Sequence, residues 1–223
     1  YNNSFSVLFV CFCILFIVNG SNFIDGFNGL LAIQYLIILT ILYLLIFKIS
    51  DLNYLKNFIF LSLILVFVFL FFNFPNSKIF LGDAGAYFLG INLSLIIIEI
   101  NKYQSKLGIS PFLFACLLFY IFFEVFFSFF RKIFLNLSPL KPDKNHLHML
   151  LYKLIFYKVK KQEIANYLTG FFINFFYFCM ILPLLFNYKN MTFCKVYFFI
   201  LINIYLLLYF FLKEKIIKYK IKI

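Results

Sequence analysis

Long apolar runs alternate with short polar connections along this chain, each run close to the ~20 residues that a bilayer core requires. Seven runs are read, over residues 5–18, 30–47, 55–74, 85–100, 110–130, 164–187 and 192–212. The first is short, as a truncated or partly re-entrant span is. The pattern predicts an all-α polytopic transmembrane bundle of about seven spanning helices, in one membrane domain over residues 1–223. No internal repeat or low-complexity linker interrupts it. The connections differ in character. Those at 19–29, 75–84 and 131–163 carry unusual polar residues; those at 48–54, 101–109 and 188–191 are ordinary.

Composition agrees with the pattern. The chain is 65% hydrophobic with a mean hydropathy of +1.01, and Phe supplies 38 of 223 residues. That excludes a soluble domain. Trp is absent, which leaves any interfacial aromatic belt to Tyr. The net charge of +12 reads as Lys retained on the cytoplasmic side, beside anionic lipid heads, and not as a nucleic-acid surface. Cys11, Cys13, Cys116, Cys179 and Cys194 fall in or beside apolar runs. They read as small buried hydrophobes and not as a disulfide framework or zinc site.

Charge also sets the orientation. Placing the three polar connections and the tail 213–223 on one side puts 14 of the 20 Lys and Arg there. The other side holds Lys48, Lys56, Lys102, Lys106, Lys189 and Lys195. By the positive-inside rule the polar connections face the cytoplasm. A site assembled from them lies at the membrane surface and not at its mid-plane.

Candidate chemistry sits in those connections. The first reads Asn19-Gly20-Ser21-Asn22-Phe23-Ile24-Asp25-Gly26-Phe27-Asn28-Gly29. Its amides and carboxylate cost several kcal/mol each if left unpaired in hydrocarbon. The plainer alternative is a helix-ending turn with Asn and Gly caps. In the second connection, Asp83 stands between glycines at the start of the next run. It can cap that helix, or, with Asn22 and Asp25 on the same face, join a sparse hard-oxygen set suited to Mg²⁺. The third connection holds the two histidines, His146 and His148, near Lys141 and Lys144. At i, i+2 the rings diverge on a helix, so an extended segment is needed for both to face one ligand. The four read as a compact cationic patch suited to a diphosphate, or as a solvated basic loop. Glu124 lies inside the fifth run, about 10 Å below the cytoplasmic boundary. An intramembrane carboxylate is a functional candidate; pairing with a neighbouring helix is the plainer role. Glu99, at the opposite boundary, reads as interfacial.

The three connections resemble, in order, the motifs of the polyprenyl-phosphate N-acetylhexosamine-1-phosphate transferases. These are membrane enzymes of glycosyltransferase family 4 that move a sugar-1-phosphate from a UDP-sugar onto a lipid phosphate. N-G-S-N-F-I-D-G-F-N-G is similar to N-x-x-N-x-x-D-G-x-(D/N)-G, and F-P-N-S-K-I-F-L-G-D-A-G to P-A-x-x-F-M-G-D-x-G-S. Glu124 through Arg131-Lys132, followed by S-P-L-K-P-D-K-N-H-L-H, is similar to D-x6-R-R and S-P-F-x-P-D-R-x-H-x-H-H. The H-x-H form resembles the bacterial branch that uses UDP-N-acetylglucosamine or a related sugar.

The resemblance implies an acceptor such as undecaprenyl phosphate, release of UMP, and a place in cell-envelope polysaccharide or lipopolysaccharide synthesis at the bacterial inner membrane, with homodimers in some relatives. It implies that Asp83 and Asn22 hold Mg²⁺ (Mn²⁺ suits the same donors) and that Asp25 tunes that site. It implies that Asn19 and Asn28 contact the nucleotide sugar, that His146 and His148 bind phosphate or sugar, and that Arg131 and Lys144 add positive charge. Met149 stands where the family has a third histidine, and Glu124 where it usually has Asp. The family's adjacent aspartate pair is absent, and the chain opens at Tyr1. An N-terminal part of a longer protein, carrying that pair, is therefore expected upstream. The competing readings are a membrane transporter and a non-catalytic remnant. Solute movement against UMP release separates the first, and an upstream aspartate pair the second.

Overall fold

The computed structural model describes residues 4–139, 141 and 144–221. Motif positions Leu140, Pro142 and Asp143, and tail residue Lys222, lie outside them. The described residues form helices joined by short turns. These are α1 (Ser4–Ile24), α2 (Leu30–Ile46), a 3₁₀ turn (Ser50–Leu52) leading into α3 (Asn53–Asn73), α4 (Gly82–Lys102), a single turn α5 (Gln104–Leu107), α6 (Pro111–Leu117), α7 (Phe119–Phe134), α8 (Leu147–Val159), α9 (Gln162–Asn187) and α10 (Met191–Lys218). Five are long and apolar enough to cross a membrane: α1, α3 with its 3₁₀ turn, α4, α9 and α10. The bent pair α6–α7 makes a sixth if counted as one span, and α2 is an apolar helix of 17 residues. Each of the seven apolar runs is thus a helix or helix pair in a polytopic membrane bundle.

Two boundaries differ from expectation, each for a local reason. α1 is not short: it has 21 residues and continues through Asn19, Gly20, Ser21 and Asn22, which the sequence pattern assigns to a loop. Asn19 Nδ2 donates to Leu15 O at 2.7 Å and Ser21 Oγ to Ile17 O at 2.8 Å. Their polar groups are therefore satisfied on the helix itself. Gly20 serves a helix crossing and not a turn. A Cβ there would stand 2.2 Å from Ile121 O of α7. Small residues at such crossings let backbones approach in a membrane. The other boundary lies in the third connection, much of which is helical: α7 runs to Phe134 and α8 occupies residues 147–159.

The run 110–130 breaks at Leu118, where α6 and α7 meet at 71°. A break frees a carbonyl, and here Tyr177 Oη of α9 donates to Leu117 O at 2.5 Å. α1 packs on α4 and α7, α2 on α3 and α9, and α8 on α9 and α10. At one end of the bundle Ser110 N–H donates to Tyr188 O, Lys106 pairs with Asp51, and Glu99 accepts from Tyr54 and Lys102. Glu99 lies in the last turn of α4, one turn before Lys102. Of the cysteines, Cys116 and Cys194 are buried, but Cys11 and Cys179 are exposed on apolar outer helix faces, which corrects the expectation that all five are buried.

Candidate active site

The three polar connections meet at the opposite end of the bundle. α1 ends there at Ile24, α2 starts at Leu30, α3 ends at Asn73, and α4 starts at Gly82. Asn22 Nδ2 donates to Asp83 Oδ1 at 2.9 Å, joining positions 61 residues apart. Asp83 is exposed in the first turn of α4, directly after Gly82, whose φ of 67° lies in the left-handed region that favours glycine. Asp25 follows the end of α1 and is half-buried. Burial first, and then the charge of Asp83, push its carboxyl up to about 7. Two carboxylates that feel each other's charge, with a primary amide against one of them, form a hard-oxygen donor set.

Buried amides hold these turns. Asn73 Oδ1 accepts from Gly29 N–H at 2.7 Å, and its Nδ2 donates to Ile79 O at 2.8 Å, so one side chain ties the first connection to the second. Asn28 Nδ2 donates to Pro75 O at 2.7 Å, and Asn28 N–H donates to Asn166 Oδ1 at 2.8 Å. Asn174 Nδ2 reaches Leu30 O at 3.1 Å. Gly170 of α9 lies flat against the same turn, where a Cβ would stand 2.4 Å from Asn28 O. Asn73, Asn166 and Asn174 have no role in the sequence reading. The available signal was amides inside apolar runs, with Asn166 and Asn174 spaced to share a helix face.

The third connection packs onto the first. His146 is the extended residue before α8 (φ −76°, ψ 154°) and His148 lies in its first turn. That is the non-helical step needed for both to face one way, and the two rings stack at 5.4 Å, 4° from parallel. Phe23 meets His146 edge-on at 5.2 Å, and Phe27 meets His148 at 5.5 Å. Both histidines are buried, and burial pushes His148 down to about 4. The expected cationic patch is corrected to this extent: His148 is a neutral, buried imidazole at pH 7 and not a solvated cation.

The remaining candidates make other contacts. Asn19 is exposed on α1 with its amide bonded to its own helix. Arg131, in the last turn of α7, donates to Ser128 Oγ at 3.2 Å and sits over the Tyr209 ring at 5.8 Å, gripping α10. Lys144 is exposed, and its carbonyl accepts from Lys153. Lys132 is buried, donating to Pro139 O and Lys141 O, and so folds the third connection back on α7.

Fold and site together define a polytopic helical membrane protein whose polar chemistry gathers at one end. Residues 1–101, which contain the first two motifs, match the family described as Glycosyl transferase family 4. That match covers less than half of the chain, and the relatives below are similar to more of it. A probable undecaprenyl-phosphate N-acetylglucosaminyl 1-phosphate transferase of Bacillus subtilis (strain 168) is 33% identical over 166 residues, covering 71% of this chain and 43% of the relative. An undecaprenyl-phosphate alpha-N-acetylglucosaminyl 1-phosphate transferase of Thermotoga maritima is 29% identical over 195 residues, covering 83% of this chain and 58% of the relative. The chain thus spans roughly half the length of these curated relatives. No solved structure matches it.

Proposed function

We propose that this chain carries the donor-binding end of a transferase that moves an N-acetylhexosamine 1-phosphate, N-acetylglucosamine being the first choice, from a UDP-sugar to a polyprenyl phosphate such as undecaprenyl phosphate. An oxygen of the lipid phosphate attacks the β-phosphorus of the UDP-sugar. The bond from that phosphorus to the bridging oxygen breaks, UMP leaves with that oxygen, and a lipid diphosphate sugar forms. The single observation that carries this reading is the Asn22–Asp83 hydrogen bond, which joins the first two motifs, the first of which also meets the histidines of the third through Phe23 and Phe27.

The donor set fits Mg²⁺. Among the described residues no group of three or more His, Cys, Asp or Glu is arranged to hold a metal. Mg²⁺ needs no such group, since it takes one or two carboxylates and completes its shell with water and substrate phosphates. Asp83 and Asp25 would hold it with Asn22, whose amide turns over to present Oδ1. When bound it supplies charge neutralisation at the diphosphate. The chain's own residues do the positioning that phosphoryl transfer chiefly requires. The amides of Asn28, Asn73 and Asn166 lock the turns, and the two imidazoles offer hydrogen-bonding groups to the diphosphate. The transporter reading has less support, because the acidic and amide groups of the motifs gather at one end of the bundle.

The test is Asp83→Ala in the full-length protein in washed membranes. UMP release falls by about 100-fold or more, the scale of losing one preorganised electrostatic group. Release near the wild-type rate removes Asp83 from the site.

A further inference from the structure

Glu124 has no part in the chemistry above, yet among the described residues it is the one acidic side chain fully buried in the bundle. A lone carboxylate there is costly unless donors surround it. Two N–H groups converge on it from the start of α8. His146 Nδ1 lies 3.1 Å from Oε2, and Leu147 N–H donates to Oε1 at 3.1 Å. His148 Nδ1 stands 3.7 Å from the same Oε1, with the Tyr120 hydroxyl 3.2 Å from that nitrogen. Leu147 is the first residue of α8, and its N–H is one of the four that a helix start leaves without an internal partner. No side chain of the residue before α8 caps it. Glu124 therefore caps α8 from another helix.

We propose that Glu124 is a positioning residue for the histidine pair; this rests on the transferase reading above. An ionised carboxylate only accepts, so the Nδ1 of His146 carries the proton in this contact. The ring is then fixed as the Nδ1–H tautomer, and Nε2 is its lone-pair nitrogen. The edge contact with Phe23 sets that ring against the end of α1, the helix that also carries Asn22. The bond to Leu147 N–H fixes where α8 begins, and with it the stacked His148. One carboxylate thus determines the orientation and proton of one imidazole and the placement of the other. It acts through the histidines and touches neither the donor set nor substrate.

The experiment compares the full-length wild-type protein with Glu124→Gln and Glu124→Asp. It uses ¹⁵N-histidine NMR, with His146 assigned from a His146→Gln sample, and the kcat and KM of UMP release. In the wild type His146 is the Nδ1–H tautomer. In Glu124→Gln the amide oxygen still caps Leu147, but an amide N–H faces Nδ1. His146 then changes to the Nε2–H tautomer, and kcat falls about 10–100-fold, the scale of losing a partner that orients a ligand. KM for the UDP-sugar and the Mg²⁺ requirement stay within about twofold. Glu124→Asp keeps the acceptor and the wild-type tautomer, and recovers part of kcat.

Four results overturn the proposal: an Nε2–H tautomer in the wild type, a Glu124→Gln kcat within about twofold of wild type, a loss explained wholly by a lower melting temperature, or a changed Mg²⁺ requirement. The NMR result stands apart from catalysis. If the wild type releases no UMP the transferase reading fails, while the tautomer still decides whether Glu124 sets the histidine pair.

Discussion

Asp25 concentrates the chemistry of the site in one proton. Its carboxyl is held at about 7, first by burial and then by Asp83, against an ordinary value near 3.9. Near neutral pH, then, one member of the pair is about half-protonated. A dication held by this pair would have to displace that proton. The sign follows directly. Below pH 7 the proton competes and apparent Mg²⁺ affinity drops by up to about tenfold per pH unit; above pH 7 the affinity levels off. Mg²⁺ titrations of UMP release at pH 6, 7 and 8 measure this. An unchanged requirement across that range removes Asp25 from the cation site, and Asp25→Asn flattens the profile if the assignment holds. His148 shows the same physics with the opposite consequence. Burial depresses its pKa to about 4, so it is a neutral ring near pH 7.

The element that matters most for the site's shape is α9, which has no motif of its own. It meets the first connection through Asn166, Gly170 and Asn174, each against the turn at Asn28–Leu30. Gly170 is small because a backbone carbonyl lies where its Cβ would be. In Gly170→Ala either α9 or the turn must move. Overpacking of this kind costs about 1–3 kcal/mol, and the displaced turn carries Asp25 and Asn28. The expected outcome is a protein that still folds, with a lowered melting temperature, and with UMP release reduced about tenfold or more. Thermal melting in detergent alongside the activity assay checks both. A variant indistinguishable from wild type in both contradicts the close approach. The break between α6 and α7 follows a similar logic, since the Tyr177 hydroxyl of α9 takes up the carbonyl that the bend frees.

Across the whole molecule, the alternation of helices separates two ends of different chemistry. One end has the Asn22–Asp83 pair, the histidines and most of the Lys and Arg; the other has Asp51, Glu99 and a few lysines. The positive-inside rule assigns the first end to the cytoplasm. The prediction is that Lys158→Cys reacts with a membrane-impermeant maleimide only when the cytoplasmic face is open, and Lys106→Cys only from the opposite face, each in a background lacking the native cysteines. The reverse pattern, or equal labelling of both, rejects the orientation. It would also put the proposed donor site out of reach of a cytoplasmic UDP-sugar.

The seven apolar runs, the bundle class and the grouping of three motifs at one end follow from the amino-acid order alone. Run length and parity are local properties, and a bilayer turns them into topology with few alternatives. The pairing of Asn22 with Asp83 was expected from motif order, and the hydrogen bond is there. What the order of residues could not supply is which group satisfies which. That Asn19 and Ser21 stay helical by bonding back to α1, that Asn73 and Asn166 clasp the first turn, that His148 is dry and neutral, and that Glu124 caps α8 all depend on where separate helices touch. Asn28 and Asn166 meet across 138 positions. Contacts over such distances are settled by packing, where each buried polar group must find a partner among whatever neighbours the bundle brings.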